Sequence, residues 1–351
     1  MWKLPYEIDF NNTEITKKLI EANYSLGELN GLIQILPNSD IILSIMTLRE
    51  SKDSSAIENV ITTYDKLYKE ILNNNHGKTS TKEVLNYKEA IYSGAKLLKN
   101  NGFLSSNMII DIHSKLMNQV AGIRKLPRTV IKNDTTNEIV HTPPQKYNEI
   151  IDYLNNLEDY INNNEDNDPL INMALIHYQF ESIHPFYDGN GRTGRILNIL
   201  YLMLKNKIYI PILYLSKFIN ESRDKYYGLL SLCNQDINNI NDFVIYMLDG
   251  IIETTKLTKN MAVKIIELIE TSDILLKEKL PNIYKHEIVL HLFKNLYTKN
   301  EVFRNDLKIS RNTATKYLKF LEEEGFVISE KVGNEVIYKN AQLFNIVEEN
   351  H

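Results

Sequence analysis

The sequence predicts an all-α protein: a helical bundle interrupted by one β-hairpin and followed by a smaller module of helices and a second hairpin. Two observations predict it. Apolar residues recur at steps of three and four over most of the 351 residues. Strand-like runs flanking turn residues occur in two places, 129–141 and 327–338.

Taken in order, Ile15, Leu19, Ala22, Leu26, Leu29 and Ile33 lie on one stripe of an amphipathic helix that Pro37-Asn38-Ser39-Asp40 ends. A second helical stretch runs from about Ile41 to Glu50. Ser54-Ser55 then offers an N-cap for a short separate helix beginning at Ala56-Ile57-Glu58-Asn59. The polar, turn-rich stretch Asn73–Ser80 links this N-terminal region to the next bundle. From Lys82 to about Ile252 the pattern is helical except between Pro127 and Pro144. There Thr129–Lys132 and Glu138–His141 flank a turn at Asn133-Asp134. Glu287–Leu296, Val302–Leu307 and a helix capped by Ser310 precede two strands, Val327–Ser329 and Val336–Tyr338, around Gly333-Asn334, which is a winged-helix pattern. The expected domains are a helical region at 1–80, a core at 81–255, a helical linker at 256–282 and a winged helix at 283–351.

Composition narrows the function classes. A formal net charge of -5 gives no whole-molecule attraction to nucleic acid or acidic membrane, so such a partner needs a local face. The single cysteine, Cys233, excludes an intramolecular disulfide and a Cys-based zinc site, and a reducing compartment is the natural reading. The first residues lack the pattern of a signal peptide, and no run approaches the roughly 18 apolar residues of a membrane span. A cytoplasmic location without membrane contact is expected.

Chemistry concentrates between two apolar helical stretches, Asn172–Phe180 and Ile196–Leu204. Asp188-Gly189-Asn190-Gly191 opens a helix with flexible backbone whose free N–H groups can converge on an anion. Arg192 and Arg195, three apart, can grip phosphate oxygens on the same side. Asp188 is the carboxylate best placed for a magnesium ion, and His184, outside the helix before Pro185, is a base that titrates near neutrality. Phe186 is expected to bury itself and fix the loop. Taken singly, a histidine or an arginine pair is more often a packing group. His177 is read as core rather than metal ligand, since no third ligand is spaced for zinc. No Gly-x4-Gly-Lys-Ser/Thr is present, which excludes a P-loop nucleotidase.

His184-Pro185-Phe186-Tyr187-Asp188-Gly189-Asn190-Gly191-Arg192-Thr193-Gly194-Arg195 resembles the signature of the Fic family of protein adenylyltransferases, His-x-Phe-x-Asp/Glu-Gly-Asn-Gly-Arg-x-x-Arg, at every defined position. The resemblance covers roughly Trp2 to Ile252. It implies a Fic helical bundle in which His184 is the base, Asp188 holds Mg²⁺ and Gly189, Asn190 and Gly191 form an anion hole. Arg192 and Arg195 would contact the distal phosphates of ATP, with Thr193 and Gly194 completing the loop. Ser54-Ser55-Ala56-Ile57-Glu58-Asn59 resembles the family's inhibitory motif, Ser/Thr-x-x-x-Glu-Gly/Asn, so that Ser54 and Glu58 would belong to an inhibitory segment whose Glu58 engages Arg195. Without that motif Glu58 would read as a solvated surface carboxylate. Tyr226-Tyr227 with Asn234 is similar to the nucleoside-contacting segment, against bundle packing as the plain reading. The Thr129–His141 hairpin is similar to the flap that aligns an extended stretch of target.

The expected function is AMP transfer from ATP to a Tyr, Thr or Ser hydroxyl of a protein, the chain itself included. Its rivals are AMP removal with Glu58 orienting a water, transfer of another nucleotide, or a transcriptional regulator whose nucleotide site only senses. Arg311, Lys316 and Lys319 could face DNA, but Glu322-Glu323-Glu324 follow, so protein contact or a homodimer is the alternative partner reading for the winged helix.

Overall fold

The computed structural model describes all residues except 8, 11, 37–38, 74–78, 121, 133–138 and 349–351. The predicted stripe is buried along α1 (Thr13–Ile35), with Ile15, Ala22, Leu26, Leu29 and Ile33 inward. The next helix departs from expectation. α2 runs unbroken from Ser39 to Ile57, so Ser54 and Ser55 lie in its last turns instead of capping a separate helix. Both serines are fully buried, and the Ser54 hydroxyl is engaged by a distant arginine, so its oxygen serves a tertiary partner and no N-cap forms.

α3 (Tyr64–Asn73) and α4 (Thr79–Asn101) follow; of the expected link, residues 74–78 lie outside the described residues. α5 (Ser106–Met117) is capped by the Ser105 side chain, which accepts from the Met108 N–H. The hairpin is shorter than predicted: β1 (Ile131–Lys132) pairs antiparallel with β2 (Ile139–His141), and the turn expected at Asn133-Asp134 lies outside the described residues. Then come α6 (Tyr147–Asn163), α7 (Pro169–Ile183), α8 (Asn190–Leu204), α9 (Leu215–Glu221), α10 (Arg223–Gln235) and the 40-residue α11 (Ile240–Lys279).

The chain divides into two compact units, each assembled from separate stretches of sequence. One comprises Met1–Ile35, Met46–Ile61 and Lys82–Lys256; the other comprises Leu36–Ile45, Thr62–Thr81 and Leu257–His351. At the centre of the first, α7 and α8 are buried on nearly every side, which is what helices without a polar face require. α7 begins cleanly because Asp168 caps the Leu170 N–H and Pro169 occupies the first turn. His177 lies inside this core. Its Nδ1 accepts from Asn198 and its Nε2 lies 2.7 Å from the Tyr226 hydroxyl, while burial holds its pKa down at about 3.

The second unit contains α12 (His286–Lys294), β3 (Tyr297–Lys299), α13 (Asn300–Leu307), α14 (Arg311–Glu323), β4 (Ile328–Val332), β5 (Glu335–Lys339) and α15 (Ala341–Glu348). The strands pair antiparallel in the order β3-β5-β4, so helix, strand, two helices and hairpin make the predicted winged helix, with β3 and α15 unforeseen. Ser310 caps α14 by accepting from the Thr313 N–H, as expected. α3 belongs to this unit: Tyr68 stacks on Tyr297 at 5.7 Å, and Asp65 accepts from the Tyr297 hydroxyl at 2.7 Å. Among the described residues no helix is long and apolar enough to cross a membrane.

Candidate active site

α7 stops where His184 takes a left-handed backbone, φ 49° and ψ 60°, and Pro185 cannot extend the helix. The loop is then closed on itself. Asn190 accepts from the Phe186 N–H and donates to the Phe186 carbonyl, both at 2.9 Å, and the buried Phe186 ring stacks on His113 at 3.7 Å. The His113 Nε2 in turn reaches the Asp188 carbonyl at 2.8 Å. Gly189 caps α8 at φ 75°, and a Cβ there would stand 2.8 Å from the Met117 sulfur, so both conformation and space demand glycine. Helix geometry leaves the N–H groups of Asn190, Gly191 and Arg192 without intrahelical acceptors at the positive end of α8.

Both arginines of the loop are paired with carboxylates. Arg192 donates to Glu83 at 3.0 Å and lies 3.6 Å from Asp188. Arg195 donates to the Ser54 hydroxyl at 2.8 Å, the Ser54 carbonyl at 3.0 Å and Glu58 Oε1 at 2.9 Å. Burial works against the Arg195 charge, but Glu58 and, behind it, Tyr87, Tyr226 and Tyr227 together outweigh burial and hold the guanidinium well above its ordinary pKa. A Cβ at Gly191 would meet Glu58 Oε1 at 2.4 Å, so the carboxylate lies directly against the first-turn backbone of α8.

The turn that presents Glu58 explains the spacing of its motif. The Val60 N–H reaches back to the Ser55 carbonyl and the Asn59 N–H to the Ala56 carbonyl, each at 3.0 Å, with Asn59 at φ 61°. This is a Schellman stop, and Asn is one of the few residues that tolerates its left-handed position. Arg223, at the start of α10, donates to the Ile57 carbonyl and the Asn59 side-chain oxygen. Nothing local in the sequence marked Arg223.

The remaining candidates divide. Tyr227 is 40% exposed and its phenol is pushed up to about 12, by burial and then by Glu58. Tyr226 is buried with its hydroxyl on His177, and the Asn234 side-chain oxygen accepts from Tyr178 and Ser182, so both are committed to the bundle. The Asp188 side chain is 75% exposed. Burial, with Arg124 second, lowers His184 to about 4, below the near-neutral titration expected from the sequence, so at neutral pH its ring is unprotonated and has a lone pair free for a proton. One group went unnoticed in the sequence. Glu181, one helical turn before His184, is pushed up to about 7 by burial; Arg195 opposes this and Glu58 adds to it. Its position three residues before the histidine is the signal that could have found it.

Comparison with known families places this site. The description "Fic/DOC family N-terminal" matches residues 16–96, "Fic/DOC family" matches 103–202, and "Protein adenylyltransferase SoFic-like, C-terminal domain" matches 268–343. The chain belongs to the Fic/DOC family. The whole of His184–Arg195 falls inside the second of these Fic/DOC matches, and Glu58 inside the first. Among curated Fic/DOC relatives, "Protein adenylyltransferase Fic" of Drosophila yakuba is 32% identical over 135 residues, 36% of this chain and 26% of that protein. The protein of the same name from Aedes aegypti is 29% identical over 166 residues, 45% of this chain and 30% of that one. The chain thus spans less than a third of the length of these relatives. A Fic family protein from Desulfovibrio desulfuricans shares the fold at a TM-score of 0.61 with 19% identity, covering 96% of this chain and 98% of its own. A Fic domain protein from Bacteroides thetaiotaomicron does so at 0.56 with 19% identity, covering 69% and 96%.

Proposed function

We propose that this chain is a protein adenylyltransferase that moves AMP from ATP to a hydroxyl side chain of a protein, and that Glu58 restrains it. One observation carries the reading: a neutral histidine at the end of α7 stands five residues before Gly189, the cap of a helix N-terminus that is bare of side chains at Gly189 and Gly191 and flanked by two arginines. That combination supplies a base for a nucleophile and a cradle for phosphates. Curated relatives named as protein adenylyltransferases support it.

In this reading the target hydroxyl gives its proton to His184 as its oxygen attacks the α-phosphorus of ATP, and pyrophosphate departs. The first-turn N–H groups of α8 and the Arg195 guanidinium hold the charge on the phosphates. The mostly exposed carboxylate of Asp188 suits Mg²⁺, which needs one or two carboxylates and completes its shell with phosphate and water. When bound, that ion would offset charge on the departing pyrophosphate.

Incubation with α-labelled and with γ-labelled ATP tests the reading. Covalent label on protein from the α position alone is expected, and label from γ, or none after Glu58 is removed, would sink it. Removal of AMP from a labelled target is the second outcome that the same assay can register. The exposed face of α14 carries Arg311, Lys316 and Lys319 beside Glu323 and Glu324. Duplex binding that weakens steeply with salt would assign that face to DNA, and salt-insensitive self-association would assign it to a second copy of the chain.

A further inference from the structure

Four consecutive carbonyls at the end of α7 receive their donors from outside the helix. His141 Nε2 reaches the Ser182 carbonyl at 2.9 Å, and the other three are all served by Arg124. Its NH2 lies 3.4 Å from the Ile183 carbonyl, its Nε donates to the His184 carbonyl at 2.7 Å, and its backbone N–H donates to the Pro185 carbonyl at 2.9 Å. Helix ends leave such carbonyls orphaned and carry negative partial charge, so a buried guanidinium there is favoured. Arg124 is fully buried.

The same side chain reaches the stem of the β1–β2 hairpin. Arg124 NH2 donates to the Pro144 carbonyl at 2.5 Å. Gln145 then ties the two arms of the stem, accepting from the Arg128 N–H at 2.6 Å and donating to the Thr129 carbonyl at 2.9 Å. Next along the chain, the Lys125 and Leu126 N–H groups both donate to the Tyr187 hydroxyl at 3.0 Å. Residues 124–126 are thereby zipped to 183–187. Left-handed backbone costs a residue other than glycine about 1–2 kcal/mol, so His184 needs surroundings that impose it.

We propose that Arg124 is a positioning residue for the His184 base, holding the left-handed turn that aims the imidazole and tying that turn to the stem of the hairpin. It never touches the reacting atoms. Its charge has a second effect, because Arg124 and His141 both disfavour the imidazolium, while Glu58 and the Glu181 backbone carbonyl favour it. Removing the guanidinium therefore loosens the turn and lets His184 take up a proton at higher pH.

The inference rests on His184 being the base of the proposed transfer, so the test has one readout that needs no activity. Histidine ring nuclei are followed by NMR against pH in the protein and in Arg124→Gln, with His184→Ala assigning the signal. In the intact protein His184 should titrate at about 4, and in Arg124→Gln its midpoint should rise while staying below the ordinary value of about 6.5, because burial, the larger cause, remains. Self-labelling is measured alongside, in a Glu58→Gly background. Arg124→Gln should lower kcat by about 100-fold with the KM for ATP unchanged, the size expected of a misaimed base. Arg124→Lys should keep the low titration midpoint without restoring kcat, because an ammonium cannot serve the same set of carbonyls.

Tyr187→Phe, at an exposed position, is the variant that folds regardless of what Arg124 does for stability. It should lower kcat by roughly tenfold, since the Lys125 and Leu126 N–H groups both lose their acceptor. An unmoved His184 midpoint with undiminished kcat in Arg124→Gln overturns the proposal. So does an unchanged kcat in Tyr187→Phe should the arginine variants not fold. If the parent protein takes no label from ATP, the transfer reading falls, while the titration still decides whether Arg124 governs His184.

Discussion

Arg195 is the residue on which the proposed restraint turns, since its guanidinium meets the Glu58 carboxylate beside Gly191, where the proposed function places the phosphates. A hydrogen bond to a charged partner contributes about 1.5–3 kcal/mol, so Glu58→Gly should raise self-labelling by roughly 10- to 100-fold. Adding Arg195→Ala should cancel the rise, because the released arginine is what holds ATP. Equal labelling by wild type and Glu58→Gly across a range of ATP concentrations would remove Glu58 from the regulation. For the base, His184→Ala should cut transfer by about 10²- to 10⁴-fold while calorimetric ATP affinity stays close to wild type. Loss of ATP binding in that variant would give the histidine a different role. The sequence offered the twelve residues of the loop as a unit because their chemistry is contiguous. It could not show that Arg195 is also gripped by Ser54, 141 positions away.

Among the elements, α2 matters most to the site because its end presents Glu58. Serines near its C-terminus looked like the start of another helix, since Ser is a strong cap, yet both are buried within α2 and the Ser54 oxygen serves Arg195. The end of α2 depends on Asn59 at φ 61°. Asn59→Gly should keep the turn and the restraint. Asn59→Val, a β-branched residue in left-handed backbone, should cost about 1–2 kcal/mol there and raise self-labelling by loosening Glu58. Labelling rates of the two variants side by side are the check, and identical rates would mean that the turn does not hold the carboxylate in place. The hairpin, in contrast, was legible as two paired strands but not in the extent of its first strand, which begins at Ile131 and not at Thr129, because so short a strand is set by pairing and not by propensity.

Over the whole molecule, acid should act in two opposed ways on the unit that carries the site. His177 and His184 have native pKa values of about 3 and about 4 against an ordinary 6.5, so the unfolded chain takes up protons that the native state refuses. Their contribution is lost as pH falls below about 6.5. Glu50 and Glu181 have native values of about 7 against 4.5, so the native state holds the extra protons and gains stability between about 7 and 4.5. The melting temperature should therefore change little from pH 7 to 5 and fall below 4.5. In Glu50→Gln/Glu181→Gln the fall should begin near 6.5, and a calorimetric series with the same profile for both proteins would contradict the assignment. Truncation before residue 283 should leave self-labelling intact, because every site residue belongs to the first unit. It should also expose residues 62–81 to protease, since Tyr68 and Asp65 lose Tyr297. Limited proteolysis reads this directly.

By itself the sequence determined the helical class, the winged-helix order and the motif His184–Arg195 on which the proposed chemistry rests, because periodicity, capping and a contiguous motif act over a few residues. It also marked Glu58 as special, through the spacing of Ser54 and Asn59. Only the tertiary structure decided that α2 is one helix, that the Tyr226 hydroxyl meets His177 while Asn234 accepts from Tyr178 and Ser182, and that 36–45 and 62–81 join the winged helix in one unit. Arg124 is the sharpest case. It meets the His184 carbonyl across 60 positions of chain, and contacts at that separation leave no local pattern, because what selects them is the orphaned end of a buried helix that exists only once the bundle has formed.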